Sequence, residues 1–286
     1  MIFPNSPAAA SLPEAELEKR QASFNARKTL LRSNPSLYIS KTRLSIRQLP
    51  LFVTDRTLKR LAIHAVRAFD DEVKASDREA LARAEETDET VSPAIAGTKK
   101  KRGERETPVV QSKIVRQSEK VDPLTGMRRS KGYGFLEMRS HRDALRVLRW
   151  ANNNTEVGGL MWGWWKGEMG ELLERTKASL VSAQAKGQKG EDGDGGEGES
   201  EKKKESAEEL EGRVRKLEAR VKEGDDRSSG GMRGGKTLMI EFSIENVQVG
   251  RTSLVFLMRD SLRHLGGQEA GREDGGDARA SHWDQA

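Results

Sequence analysis

The chain has 286 residues, of which 34% are hydrophobic and 34% charged, with a mean hydropathy of −0.76. A fully packed chain is nearer half apolar and a quarter charged, so much of this one is expected to be disordered or loosely helical. A net charge of +6 and a pI near 9.4 favour a polyanionic partner, and the lack of cysteine excludes disulfides, thiolate zinc sites and cysteine nucleophiles.

No apolar stretch approaches the ~18 residues of a membrane span. The first residues do not run from basic to apolar, so no secretory signal is expected. Residues 1–40 read as an N-terminal extension, polar at first and then basic through Arg27, Lys28 and Arg32, with Asn34-Pro35 breaking any helix. Residues 41–49, KTRLSIRQL, place Leu44 and Ile46 on one strand face, and Pro50 ends the run. The next helix has Thr54 or Asp55 as its cap, and Leu58, Leu61, Ala62, Ala65 and Phe69 recur at helical spacing. Residues 74–106 read as a charged low-complexity insert. It includes a short polar helix starting at Ser76 and the basic run Lys99-Lys100-Lys101-Arg102, which fits a nuclear address, a phosphate patch or chance.

Order resumes at Thr107. Val110, Ile114 and Val115 mark a strand over residues 109–116, and Asp122-Pro123-Leu124-Thr125-Gly126 is turn chemistry. Residues 131–138 read KGYGFLEM. Alternation sends Tyr133 and Phe135 to one face and Leu136 and Met138 to the other. Ser140 to Asp143 resembles a capping box, opening a helix whose apolar face is Ala144, Leu145, Leu148 and Ala151. Trp162, Trp164 and Trp165 cluster ahead of an amphipathic helix carrying Met169, Leu172, Leu173 and Leu180. Residues 187–205 are Gly/Glu/Lys low complexity. Leu210, Val214, Leu217 and Val221 have coiled-coil heptad spacing, but over only about two heptads. A last strand over 237–244, TLMIEFSI, turns Leu238, Ile240 and Phe242 inward.

The order strand, helix, strand, strand, helix, strand predicts an α+β fold of the ferredoxin-like class, βαββαβ, with a four-stranded antiparallel sheet covered by two helices on one face. It occupies residues 41–249, interrupted by disordered inserts at 74–106 and about 187–236, with a disordered tail over 250–286.

The octamer matches the ribonucleoprotein pattern K/R-G-F/Y-G/A-F-V-x-F/Y of RNA recognition motifs, except that Met138 replaces the final aromatic. Unpaired bases stack on such rings at ~1–3 kcal/mol each. Tyr133 and Phe135 are the candidate platforms, unless something covers that face and makes them core. Lys131, Arg128 and Arg129 are candidate phosphate contacts or a solvated turn. Gly132 and Gly134 are expected to let the backbone approach a strand. On the first strand Ser45 stands where a third stacking aromatic belongs and Gln48 where Asn belongs. Arg47 compensates by stacking its guanidinium or pairing a phosphate, or is a plain exposed arginine. The tryptophans stack on RNA, grip a protein or cap the core; packing is the default.

Four stretches carry a closer resemblance: residues 23–69, VVQSKIVRQ at 109–117, SKGYGFLEM at 130–138 and IEFSIENVQV at 240–249. Together they look like the last RNA recognition motif of fungal nucleolar protein four and its animal counterpart, RNA-binding protein twenty-eight. The resemblance implies several such motifs in one chain, a nuclear and nucleolar address, and a role in pre-rRNA processing and large-subunit ribosome biogenesis. One motif is present here, so the chain reads as a C-terminal fragment, a truncated gene product or a divergent short relative. Residues 251–286 depart from the basic, polar continuation of the family.

These readings predict a non-catalytic module binding single-stranded pre-ribosomal RNA through an open sheet face, with no cofactor, metal or small-molecule substrate and no membrane. The alternative is a protein-interaction module in a ribosome-assembly complex, using Trp164, Trp165 and the helix after them. The four histidines, His64, His141, His264 and His282, are scattered, and no phosphate-loop, nucleophile-elbow or zinc motif supports an enzyme.

Overall fold

A computed structural model describes residues 7–10, 12–93, 107–187, 207–223 and 237–247. Four strands, β1 (Leu37–Arg47), β2 (Val109–Val121), β3 (Arg128–Met138) and β4 (Met239–Asn246), form one antiparallel sheet in the order β2-β3-β1-β4. The helices in chain order are α1 (Pro7–Ala10), α2 (Glu14–Ser33), α3 (Asp55–Lys74), α4 (Arg83–Glu86), α5 (His141–Ala151), α6 (Val157–Gly187) and α7 (Ala207–Glu223). An α+β architecture with an open four-stranded antiparallel sheet and several helices is compatible with the ferredoxin-like class, and it carries helices beyond the two expected on the sheet.

The core lies between the sheet and helices α3 and α5. Leu44 and Ile46 of β1, Leu136 and Met138 of β3, and Ile240 of β4 meet Leu58, Leu61, Ala62, Ala65 and Phe69 of α3 and Ala144, Leu145, Val147 and Trp150 of α5. The Thr54 hydroxyl accepts from the Thr57 N–H and caps α3, while the Ser140 hydroxyl accepts from the Asp143 N–H and caps α5. Gly126 closes the β2–β3 turn at φ +65°, donating its N–H to the Asp122 carbonyl at 2.8 Å.

Several segments depart from expectation. The extension over residues 1–40 contains the 20-residue helix α2, and β1 begins at Leu37 rather than 41. Helix α2 has almost no apolar stripe, so periodicity does not reveal it. It is held by polar side chains: Arg20 donates to the Leu238 carbonyl and Arg27 to the Phe242 carbonyl, which caps acceptors along edge strand β4. The proposed insert at 74–106 is packed through residue 93. Leu81 and Ser92 are buried, Arg149 pairs with Glu85 of α4 at 2.8 Å, and Arg78 donates to the Arg149 carbonyl. Residues 94–106, including Lys99 to Arg102, lie outside the described residues, as does the tail from 248 onward.

The insert at 187–236 contains α7, whose Leu210, Val214 and Leu217 are buried. The pairs Lys177–Glu218 and Gln184–Glu211 show that α7 runs antiparallel to α6. The heptad spacing thus pairs helices within the chain. Arg220 ties α7 to the β2–β3 turn by an ion pair with Asp122 at 2.8 Å. Burial pushes the Asp122 carboxyl up, yet donation from Arg220, the Leu124 N–H and Thr125 holds it below the usual carboxylate range.

The tryptophans pack. Trp165 is buried, Trp162 stacks on it at 4.8 Å and meets Phe52 edge-on at 5.1 Å, and His64 lies between Trp150 and Trp164. All of this is on the helical side of the sheet.

Gly134 faces that side as well. A Cβ there falls 2.8 Å from the Lys113 carbonyl oxygen and 3.3 Å from the Leu49 side chain. Gly134→Ala is therefore expected to cost about 1–3 kcal/mol, as overpacking does, whereas Tyr133→Ala beside it changes stability far less. Urea unfolding of both variants checks the contrast.

Candidate nucleic-acid interface

Residues directly opposite in antiparallel strands share a face. The register therefore defines rows across the side of the sheet away from α3 and α5. The central row runs Lys113, Phe135, Ser45, Glu241, and its neighbours run Gln111, Glu137, Arg43 and Tyr133, Arg47, Met239. Tyr133 is 38% exposed and Phe135 half-buried, with no described helix lying over either ring. Their centroids are 6.4 Å apart and their planes nearly perpendicular at 84°. Both rings thus reach one open surface, but they do not form one flat shelf.

The expected site residues separate. Lys131 is exposed, and neither it nor Arg129 forms an ion pair among the described residues. Arg128 instead lines a groove on the helical side, with Trp165, Met169 and Arg220. Its carbonyl accepts from Arg116. Gly132 and Gly134 do not face the open surface. Gly132, at φ +79°, accepts at its carbonyl from the Leu49 N–H, and the space beside it leads to Leu49 and Leu51. These glycines let the segment after β1 close over β3; they do not admit a ligand. Ser45 lies between Phe135 and Glu241 in the central row, and its hydroxyl donates to the Glu241 carbonyl.

Arg47 reaches the open face but is not free. Its guanidinium is 3.4 Å from the Glu241 carboxylate and donates to the Ser23 hydroxyl at 3.1 Å. Ser23 of α2 in turn donates to Glu241, and Arg27 approaches the same carboxylate at 3.8 Å. Desolvation pushes the pKa of Arg27 down from its ordinary value, against the raising effect of Glu241. Arg43 lies 5.6 Å from the Phe135 centroid and pairs with Glu245 at 3.1 Å. Glu137 accepts from the buried Ser92. The exposed Lys113, which continues the aromatic row toward the β2 edge, has no ion-pair partner among the described residues.

Lys113, Glu241, Glu245 and Ser23 were missing from the expectation. Alternation along IEFSIE was enough to place Glu241 and Glu245 opposite Ile240. Ser23 had no such signal, because its helix is placed by tertiary contacts. Among the described residues, no group of three or more His, Cys, Asp or Glu side chains is arranged to hold a metal ion, and no helix is long and apolar enough to cross a membrane.

Tyr38 closes one end of this network. Its hydroxyl donates to Glu245 at 2.8 Å. Desolvation, reinforced by Glu245, pushes its pKa from 10 up to about 12. Folding then favours the neutral phenol: the stabilisation is complete below pH ~10 and is lost as pH rises through about 12. Tyr133 is the other of the two tyrosines, so in Tyr133→Phe the phenolate absorbance reports Tyr38 alone. That signal is expected near pH 12 when folded and near 10 in denaturant.

No protein-family model matches the chain, and no solved structure matches it significantly, so the reading of this face rests on its own geometry.

Proposed function

We propose that this chain is a non-catalytic module of the RNA recognition motif kind, binding single-stranded RNA on the open face of its sheet. The observation that carries the reading is the emergence of Tyr133 and Phe135 together where no described helix lies over them, beside Lys113 and Lys131, which have no ion-pair partner among the described residues. Rings on a sheet favour unpaired bases, because a base inside a duplex has no free π surface. Cations around them supply affinity that depends on salt and is blind to sequence. The perpendicular rings favour two bases held at an angle over a continuous stack.

The nucleolar address and the role in pre-rRNA processing and large-subunit assembly belong to the same proposal, on the strength of the resemblance over residues 23–69 and the octamer. The reading as a protein-interaction module draws less support. Trp165 is buried and Trp162 and Trp164 are engaged with Phe52, His64 and Arg60, so the cluster offers little unpartnered surface.

The test is fluorescence anisotropy with an unstructured RNA oligonucleotide. Tyr133→Ala with Phe135→Ala is expected to lose about 1–3 kcal/mol of binding per ring, with an unchanged circular-dichroism melt. Equal affinity of the double variant and the native chain would exclude stacking.

A further inference from the structure

On the reading of this face as an RNA surface, we infer that the strand is confined to the β2–β3 half. The β1–β4 half is closed by Glu241, which helix α2 holds against Arg47 in place of an RNA phosphate. The carboxylate occupies a pre-built anion position. The Ser23 hydroxyl donates its one hydrogen to it, shared between the two oxygens at 3.1 and 3.0 Å, and the carboxylate meets Arg47 at 3.4 Å and Arg27 at 3.8 Å. Arg43 is engaged in the same way by Glu245, which also accepts from Tyr38. Half-exposed ion pairs of this kind add little to stability, but each withholds a cation from a polyanion. The other half is the converse: Lys113 of β2 and Lys131 of β3 are exposed and have no ion-pair partner among the described residues, and Phe135 lies between Lys113 and β1 with Tyr133 near it on β3.

A strand tracking over β3 toward β2 therefore meets the two rings and these two lysines. One crossing β1 toward β4 must first displace a carboxylate anchored from a separate helix. Because α2 supplies Ser23 and Arg27, its docking sets how much of the sheet is open to RNA.

The experiment measures RNA affinity as a function of salt for the full chain and six variants. Glu241→Gln keeps one acceptor oxygen for Ser23 but removes the charge that pairs Arg47. It is expected to tighten binding several-fold and to steepen the slope of log K against log salt by about 0.7, the value of one added phosphate contact on a single strand. Glu79→Gln, an exposed site with the same change in net charge, is expected to leave the slope unchanged. Arg47→Ala is expected to have little effect in the native chain and to abolish the gain in the Glu241→Gln background.

Equal behaviour of Glu241→Gln and Glu79→Gln overturns the clamp while the RNA reading stands, provided the double aromatic variant loses affinity. So does a loss in Arg47→Ala as large as that in Lys131→Ala. Absence of RNA binding in both the native chain and Glu241→Gln overturns the two together.

Discussion

Burying Leu136 and Met138 under α3 and α5 obliges the intervening side chains of β3 to point the other way. A pleated strand has no intermediate choice. Leu44 and Ile46 impose the same condition on β1, so Arg43, Ser45 and Arg47 come out beside Phe135 and Tyr133. The composition of the open face is thus a by-product of the core. A slip of one residue in the register would exchange the two faces wholesale. Gly134 secures the arrangement from below, since only a residue without Cβ lets β2 and Leu49 approach so closely.

Charge on this face is organised more tightly than a net charge of +6 suggests. A basic chain is expected to present its arginines freely to a polyanion. Here Arg43 and Arg47 are matched by Glu245 and Glu241, while two lysines nearer β2 are not matched among the described residues. The overall excess of positive charge favours encounter with nucleic acid, and the local pairing decides which cations remain available afterwards. Helix α2 takes part in both matters, because the arginines and serine that dock it also reach the sheet margin.

The additional helices lie on the opposite side. α6 and α7 pair with each other, and α6 brings Trp165 and Met169 into the same core as α3. Glu168 of α6 accepts from Thr54 and Thr57 at the start of α3, so the extra helix also participates in the capping of the original one. The tryptophans, for which the linear reading favours packing, are thereby accounted for on the side of the sheet away from Tyr133 and Phe135.

The sequence alone determined the inward and outward faces of β1, β3 and β4, the cap at Ser140, the narrowing of the α3 cap to Thr54 or Asp55, the turn at Gly126 and the pairing of two rings. Each of these follows from a local period or from the stereochemistry of a few neighbouring residues. Only the tertiary structure decided that α2 lies along β4, that Arg128 turns to the helical side, that the glycines serve packing, and that Arg47 is already engaged by Glu241. Those outcomes join Ser23 and Arg47 to Glu241 across 218 and 194 positions of chain, and such a meeting leaves no periodic trace, because hydrogen bonds and ion pairs depend on where side chains end in space rather than on their spacing along the backbone.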